Sequence, residues 1–522
     1  MSRKFNITGC CYPDRHYMVD LMPRLKEIEI LIDEGEYFII NRARQYGKTT
    51  TLQRLKDYLS KKYIVVSMDF QKFSTASFES ETAFARRYAE ELLGMTKSRR
   101  KKLIGFSDAE LLVLENALNR QLTLPDLFTL LSNLCETAEK PVVLMIDEVD
   151  RASENQIFID FLGQLRYAYL NKEDTYTFHS VILAGVYDIK NMKKKIRPQE
   201  EQRYNSPWNI AADFRVDMSF GVEDIMQMLS QYENDRHIGM EIEKIAQMIY
   251  DYTSGYPYLV SYICKLLDED MQAAKWTKEG VAEAVKIIVK GPNVLYDDMI
   301  KHILEYPELH KMLYNILFKG EHYPYQVYDQ SVDIGSMFGF IVDKQGEVAV
   351  ANRIFETQLY NFFVVEALKQ NDRQRELIPE KSQFIENDSL NMDKVMKKFF
   401  EYYTSLIDKD DADFVENQGR KLFLMFLRPI INGVGNYYVE DQSRSRHRTD
   451  IVVDYKGKQY IIELKIWRGE EYQNRGRLQL ADYLEAYHQK KGYLLSFNLN
   501  KKKQQGITEM MVDGKTIVEI VV

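Results

Sequence analysis

The sequence predicts an α/β protein in two parts: a parallel-sheet domain extended by helices, then a separate α/β domain at the C-terminal end. Two observations carry this. Short apolar, β-branched runs recur through the first 220 residues with helical patterns between them, as strands buried on both faces require. Near the C-terminus, Arg448 to Asp454 and Gln459 to Ile466 read as two strands joined by the turn Tyr455-Lys456-Gly457-Lys458.

The first apolar run, Tyr37 to Ile40, enters a loop that ends in Gly47-Lys48-Thr49, and a helical stretch from Thr50 to Leu59 leaves it. Strand, tight loop and helix in that order make a P-loop, whose backbone N–H groups and helix N-terminus cradle phosphate oxygens. The expected nucleotide contacts are Arg44, Gln45, Tyr46, Gly47, Lys48, Thr49 and Thr50. Lys48 would reach the β/γ-phosphates of ATP, and the Thr49 hydroxyl would ligate Mg²⁺. Arg42 stands where the motif G-x-x-x-x-G-K-[ST] has its first glycine, and a bare Gly-Lys-Thr is a weak signal. A second run strengthens it. Pro141 to Ile146 ends in Asp147-Glu148, a Walker B arrangement in which Asp147 would hold Mg²⁺ through water and Glu148 would orient and deprotonate the attacking water. A buried strand followed by a solvated acidic turn is the plainer alternative. Tyr63 to Phe70 supplies a strand between the two motifs, the order of additional-strand P-loop ATPases, the group of AAA+ and STAND proteins.

The chain has 522 residues, 45% hydrophobic, so about two to four domains are expected. A net charge of −8 excludes a globally basic nucleic-acid coat. The four cysteines form no C-x-x-C pair and the eight histidines no H-x-x-x-H pair, which argues against a disulfide framework and a cysteine zinc site. No apolar segment follows Met1 to Lys4 and none elsewhere is long enough to span a bilayer, so a cytoplasmic protein without a membrane partner is expected.

The expected domains are an ATPase core at 1–220, a helical lid at 221–290, a winged-helix-like domain at 291–368, a linker at 369–392 and a nuclease-like domain at 393–522. Within the core, Tyr12 to Asp20 is a lead-in that either packs plainly or lies over the nucleotide base. The basic run Lys97 to Lys102 reads as a solvated turn. Val181 to Val186 is a further strand, followed by Asp188 and Asn191 as candidate γ-phosphate sensors, and Arg215 to Phe220 is expected as the fifth strand. Arg44 or Arg151 could sense the γ-phosphate in cis or across an oligomer. Gly255-Tyr256-Pro257 is either a helix–helix turn or a Gly-x-Pro lid motif. Gly339 to Val350 forms a short hairpin, the wing of a winged helix.

The C-terminal hairpin carries the second constellation. Side chains alternate along a strand, so Glu463 and Lys465 share a face, and the hairpin can bring Asp450 beside them. Asp450 and Glu463 would hold Mg²⁺, while Lys465 positions the nucleophile or offsets developing charge. This is the Asp…Glu-x-Lys pattern of PD-(D/E)xK nucleases, a loose motif by itself. Glu416 lies upstream, on a helix where a further acidic metal ligand is expected. Gln479 and Tyr483 stand one helical turn apart downstream, as in RecB-like nucleases. Arg444, Arg446, His447 and Arg448 would suit a phosphate backbone.

With both sites in view, the chain resembles bacterial AAA-ATPase-like proteins that carry a C-terminal PD-(D/E)xK nuclease domain. Tyr17 to Asp20, the loop Arg42 to Thr49, Val142 to Glu148, Trp208 to Ala211 and the Asp450/Glu463/Lys465/Gln479/Tyr483 set carry the resemblance. Arg42 is common at that P-loop position in the family. The resemblance implies an additional-strand P-loop NTPase (AAA+/STAND-like) with helical lid and winged-helix-like domain, plus a restriction-endonuclease-like α/β domain. It also implies ATP and Mg²⁺ as cofactors and a role in defence against foreign DNA or in mobile elements. The expected activity is ATP hydrolysis coupled to cleavage of phosphodiester bonds, with nucleic acid (DNA ahead of RNA) as partner and a homo-oligomer left open. The alternative is a non-cleaving, ATP-switched nucleic-acid-binding or regulatory protein.

Overall fold

Four apolar runs form the strands β1 (Tyr37–Asn41), β2 (Ile64–Asp69), β3 (Val142–Asp147) and β4 (Ser180–Gly185). They pair in parallel in the order β1-β4-β3-β2. This computed structural model describes residues 3–97, 105–153, 155–186, 208–270, 276–319, 321–370, 381–387, 389–406, 416–431, 435–439, 451–456, 458–498 and 505–522. Alternation along each strand splits the burial between two cores. On one face Leu144 and Ile146 of β3 meet Phe84, Phe158 and Phe161. On the other, Val143 and Met145 meet Leu25, Ile28, Leu52 and Leu55. Helices therefore cover both faces, which is why the strands read as unbroken apolar runs.

The expected fifth strand is replaced. Arg215 to Phe220 form no strand, and the pairing beside β1 is a single parallel bridge between Phe38 and Ala212. The cause is visible in the carbonyls. Arg42 donates to Val216 O at 2.9 Å, and Arg24 donates to Asp217 O at 3.0 Å and Ser219 O at 2.7 Å. Two guanidinium groups thus satisfy acceptors that a ladder would otherwise engage. Just upstream, Trp208 is fully buried and stacks on Tyr37 with ring centroids 6.0 Å apart.

The chain divides into two compact units. One comprises Met1–Ala246, Gly255–Asp268 and Met337–Gly339, and the other Gln247–Ser254, Glu269–Ser336 and Phe340–Val522. The second unit contains the hairpin β5 (Ile341–Lys344) and β6 (Glu347–Val350) and a two-residue pair, β7 (Ile385–Glu386) and β8 (Ser389–Leu390). Its main sheet comprises β9 (Gly435–Val439), β10 (Ile451–Tyr455), β11 (Lys458–Ile466), β12 (Lys491–Phe497), β13 (Gly506–Val512) and β14 (Lys515–Val521). The order is β13-β14-β12-β11-β10-β9, with β11, β12 and β14 parallel and the outer pairs antiparallel. The helix Glu470–Ala486 makes the crossover that parallel β11 and β12 need. Among the described residues, no helix is long and apolar enough to cross a membrane.

Polar contacts join the helices of this unit to its sheet. Lys286, on the helix Lys278–Lys290, reaches Asp454 of β10 at 3.1 Å and Glu283 at 3.0 Å. Lys286 and Asp454 are each 5% exposed. Arg428 donates to Asn361, and Arg420 to the Tyr360 hydroxyl, between the helices Glu416–Ile431 and Arg353–Gln370. Removing one partner of a buried ion pair is strongly destabilising, whereas an apolar replacement of both is nearly neutral. Lys286→Met is therefore expected to destabilise this unit by about 3 kcal/mol in denaturant unfolding, and Lys286→Met with Asp454→Leu to recover most of that loss.

Candidate nucleotide site and a second polar cluster

The loop after β1 takes its shape from two left-handed residues, Gln45 at φ +58° and Gly47 at φ +82°, the latter at the start of the helix Lys48–Leu59. The Lys48 ammonium is 9% exposed and folds back onto the loop, donating to Arg42 O at 2.8 Å and Ala43 O at 2.9 Å. Arg42 does not leave a glycine-like gap. Its guanidinium lies over the Phe214 ring and holds the Val216 carbonyl, so it anchors the loop to the segment beside β1. Arg44 and Gln45 are exposed on the loop, and the Thr50 hydroxyl accepts the Cys11 N–H at 3.1 Å.

The two predicted motifs meet. The Thr49 hydroxyl donates to Asp147 Oδ2 at 2.7 Å, and Asp147 Oδ1 accepts the Glu148 N–H at 3.0 Å. Glu148 itself has φ +55°, a left-handed turn that lifts its half-buried side chain off the end of β3. Burial raises the Asp147 carboxyl above the ordinary range, and burial followed by the neighbouring Asp147 raises Glu148. Burial lowers the Lys48 ammonium, against the pull of Asp150, Glu148 and Asp147. A hydroxyl and a carboxylate are hard-oxygen donors of the kind that suits Mg²⁺. Among the described residues no group of three or more His, Cys, Asp or Glu is placed to hold a metal ion.

A cavity of about 700 Å³ opens over this loop, lined by Lys48, Thr49, Glu148 and Asp150 at its polar part. The lead-in residues Tyr17, Met18 and Val19, together with Pro257, Tyr258 and Phe338, also line it. The lead-in thus belongs to the cavity wall. It is held there by Arg3, which pairs with Asp235 at 2.9 Å, and by Gln231, which donates to Met18 O at 2.7 Å. The Gly-x-Pro segment sits against the same wall. Gly255 has φ +73° and packs where an added Cβ would lie 2.1 Å from Phe220 O, so only glycine fits. Tyr256 next to it donates to Arg44 O at 2.6 Å and packs edge-on against Tyr46, whose hydroxyl hydrogen-bonds Ser219 at 2.7 Å. Arg151 also lines the cavity, and its guanidinium donates to Gln71 O, on the same wall, at 3.2 Å.

In the second unit Glu463 is fully buried and Lys465 is 6% exposed, and their side chains bond at 2.6 Å. Gln479 donates to the Tyr483 hydroxyl on the helix Glu470–Ala486. Beside them lies a set that sequence reasoning missed. Gln473 donates to Ser496 Oγ at 2.5 Å and to Glu519, and Arg477 pairs with Glu519 at 2.6 Å. The register places Ser496 opposite Lys465 and Glu519 opposite Leu494, the partner of Glu463, so all these strand residues share one face. The signal was a serine and a glutamate inside apolar strands, visible only once the strands pair. Asp450, Asp188, Asn191, Arg444, Arg446, His447, Arg448 and most of the Lys97–Lys102 run lie outside the described residues, as does the side chain of Glu416.

A model of the AAA-like domain family matches residues 25–361. No curated protein matches the chain. The Walker-type ATPase PABY2304 of Pyrococcus abyssi shares 13% identity, with a TM-score of 0.48 and coverage of 68% of this chain and 99% of that one. The Aeropyrum pernix ORC2 protein, solved as ADPNP–ADP complexes, shares 13% identity, with a TM-score of 0.38 and coverage of 70% and 97%. The Aeropyrum pernix ORC1 protein in complex with DNA shares 12% identity, with a TM-score of 0.32 and coverage of 67% and 94%. At these TM-scores the likenesses carry no functional argument.

Lys48 lines the cavity over the loop, and hydrogen bonds to charged groups contribute about 1.5–3 kcal/mol each. Lys48→Ala is expected to raise the Kd for ADP by roughly 10- to 100-fold in calorimetric titration, and to lower the melting temperature because the Arg42 and Ala43 carbonyls lose their donor.

Proposed function

The chain belongs to the AAA-like domain family, and on that premise we propose that it binds ATP with Mg²⁺ and hydrolyses it at Lys48, Thr49, Asp147 and Glu148. The observation that carries this reading is the 2.7 Å bond from the Thr49 hydroxyl to Asp147, which brings the phosphate loop and the acidic strand end to one point. Thr49, and Asp147 through water, would hold Mg²⁺, whose charge would offset that of the β- and γ-phosphates. Lys48, released from the Arg42 and Ala43 carbonyls, neutralises the γ-phosphate oxygens. Glu148, with its carboxyl lifted by burial, takes the proton of the attacking water. Glu148→Gln is expected to lower ATP turnover by on the order of 100-fold or more while ATP affinity stays within about threefold. Unchanged turnover in a phosphate-release assay would exclude Glu148 as the base.

For the C-terminal part the reading is an Mg²⁺-dependent nuclease whose activity follows the nucleotide state, with DNA as substrate and defence against foreign DNA as the role. What supports it is the buried Glu463–Lys465 pair and the adjacent Gln479–Tyr483 bond, since buried charge is rarely retained for stability alone. The second reading, a nucleic-acid binder that does not cut, uses the same surface. A plasmid and single-strand assay with Mg²⁺ or Mn²⁺, with and without ATP, separates them. Cleavage that Asp450→Ala and Lys465→Ala each reduce by on the order of 100-fold is the nuclease outcome, and loss in Lys48→Ala adds ATP gating. Binding without cleavage is the outcome of the second reading.

A further inference from the structure

The acidic turn after β3 holds a third carboxylate that the hydrolytic roles above do not use. Asp150 ends the sequence Asp147-Glu148-Val149-Asp150, and its three-residue 3-10 turn, Val149–Arg151, folds back toward the end of β4. There its Oδ2 accepts the Val186 N–H at 2.6 Å. The contact is closed from the other side by Gly185. A Cβ on Gly185 would lie 2.7 Å from Asp150 Oδ1 and 2.9 Å from Val149 Cγ2, so a side chain there would drive the turn away. The Gly185 carbonyl in turn accepts the Arg42 N–H at 3.3 Å, and the Arg42 carbonyl accepts the Lys48 ammonium. Asp150 also lines the nucleotide cavity.

The geometry points to Asp150 as a positioning residue that aims Glu148 by fastening its turn to the end of β4. Glu148 stands in a left-handed conformation between two fixed points. Behind it, Asp147 accepts its own N–H. Ahead of it, Asp150 is bonded to Val186. With the second point released, the turn can swing, and the Glu148 carboxylate leaves the line of attack on the γ-phosphate. The hydrogen bonds of Lys48 and Thr49 go to Arg42, Ala43 and Asp147, and Asp150 is one of three carboxylates whose charge reaches Lys48, so affinity is expected to change little. The contact also ties the end of β4 to the turn that carries the proposed base. Any movement of that strand end with the state of the γ-phosphate would reach Glu148 through one hydrogen bond.

This inference rests on the hydrolysis proposed above, and the experiment separates the two. Steady-state ATP turnover and ADP affinity are measured for the full chain and for Asp150→Ala, Asp150→Asn and Gly185→Ala. Misplacement of a reacting group by about 1 Å costs on the order of 100-fold, so Asp150→Ala is expected to lose roughly 10- to 100-fold in kcat with ADP affinity within about threefold. Asp150→Asn keeps an oxygen for the Val186 N–H and is expected to stay within about threefold of the unaltered chain. Gly185→Ala keeps the Asp150 carboxylate but displaces the turn from the opposite side, with a kcat loss like that of Asp150→Ala. Full turnover in both alanine variants would overturn the assignment, as would ADP affinity falling in step with kcat, or an asparagine variant as slow as alanine. An unaltered chain that binds ADP but never turns over ATP would overturn the hydrolysis reading and this inference with it.

Discussion

A single carboxylate at the end of a fully buried strand is the constraint on which the nucleotide site depends. All six residues of β3 are buried, and the last of them is Asp147. A carboxyl group in that setting must find donors or give up its charge. It finds the Glu148 N–H beside it and the Thr49 hydroxyl across the sheet. In the order β1-β4-β3-β2, the strand that feeds the phosphate loop is not the neighbour of β3, because β4 lies between them. The Thr49–Asp147 bond therefore spans the crevice at the carboxyl ends of the strands, the place where open α/β sheets bind ligands.

Around that crevice, backbone groups are held by side chains more than by regular ladders. Arg42 and Arg24 hold the carbonyls of the segment beside β1, and Tyr256 donates to the loop at Arg44. The Gly255 backbone meets Phe220, whose N–H donates to Gly255 O at 2.8 Å. Such contacts leave the loop anchored on its outer side and open toward the cavity. The lead-in closes one wall through Arg3 and Gln231, and neither contact involves a nucleotide-facing atom of the loop.

The second unit has the opposite economy. Its polar side chains lie beneath the helix Glu470–Ala486 and satisfy one another, as Lys465 does with Glu463 and as Arg477 and Gln473 do with Glu519. Desolvating several charged groups is expensive, and apolar residues of similar volume would pack this layer at least as stably. The energy is therefore poorly explained by folding.

Much of this was readable in the residues themselves. The apolar runs of β1 to β4, the loop Gly47-Lys48-Thr49, the pair Asp147-Glu148 and the Glu463–Lys465 alternation follow from local rules: period-two burial, helix initiation and turn chemistry act on neighbouring residues. What the tertiary structure decided involves partners far apart in the chain. Arg215 to Phe220 has the composition of a strand, yet its carbonyls are taken by Arg24 and Arg42, almost two hundred residues upstream. Nothing local singled out Asp150, which acquires its contact only where β4 brings the Val186 N–H and the bare Cα of Gly185 against it. Ser496 and Glu519 gained meaning only when β12 and β14 fell into register beside β11. Local sequence specifies which residues can do chemistry, because that depends on side-chain type and spacing. Which of them meet depends on hydrogen bonds and burial contributed by distant segments, and no local pattern encodes those.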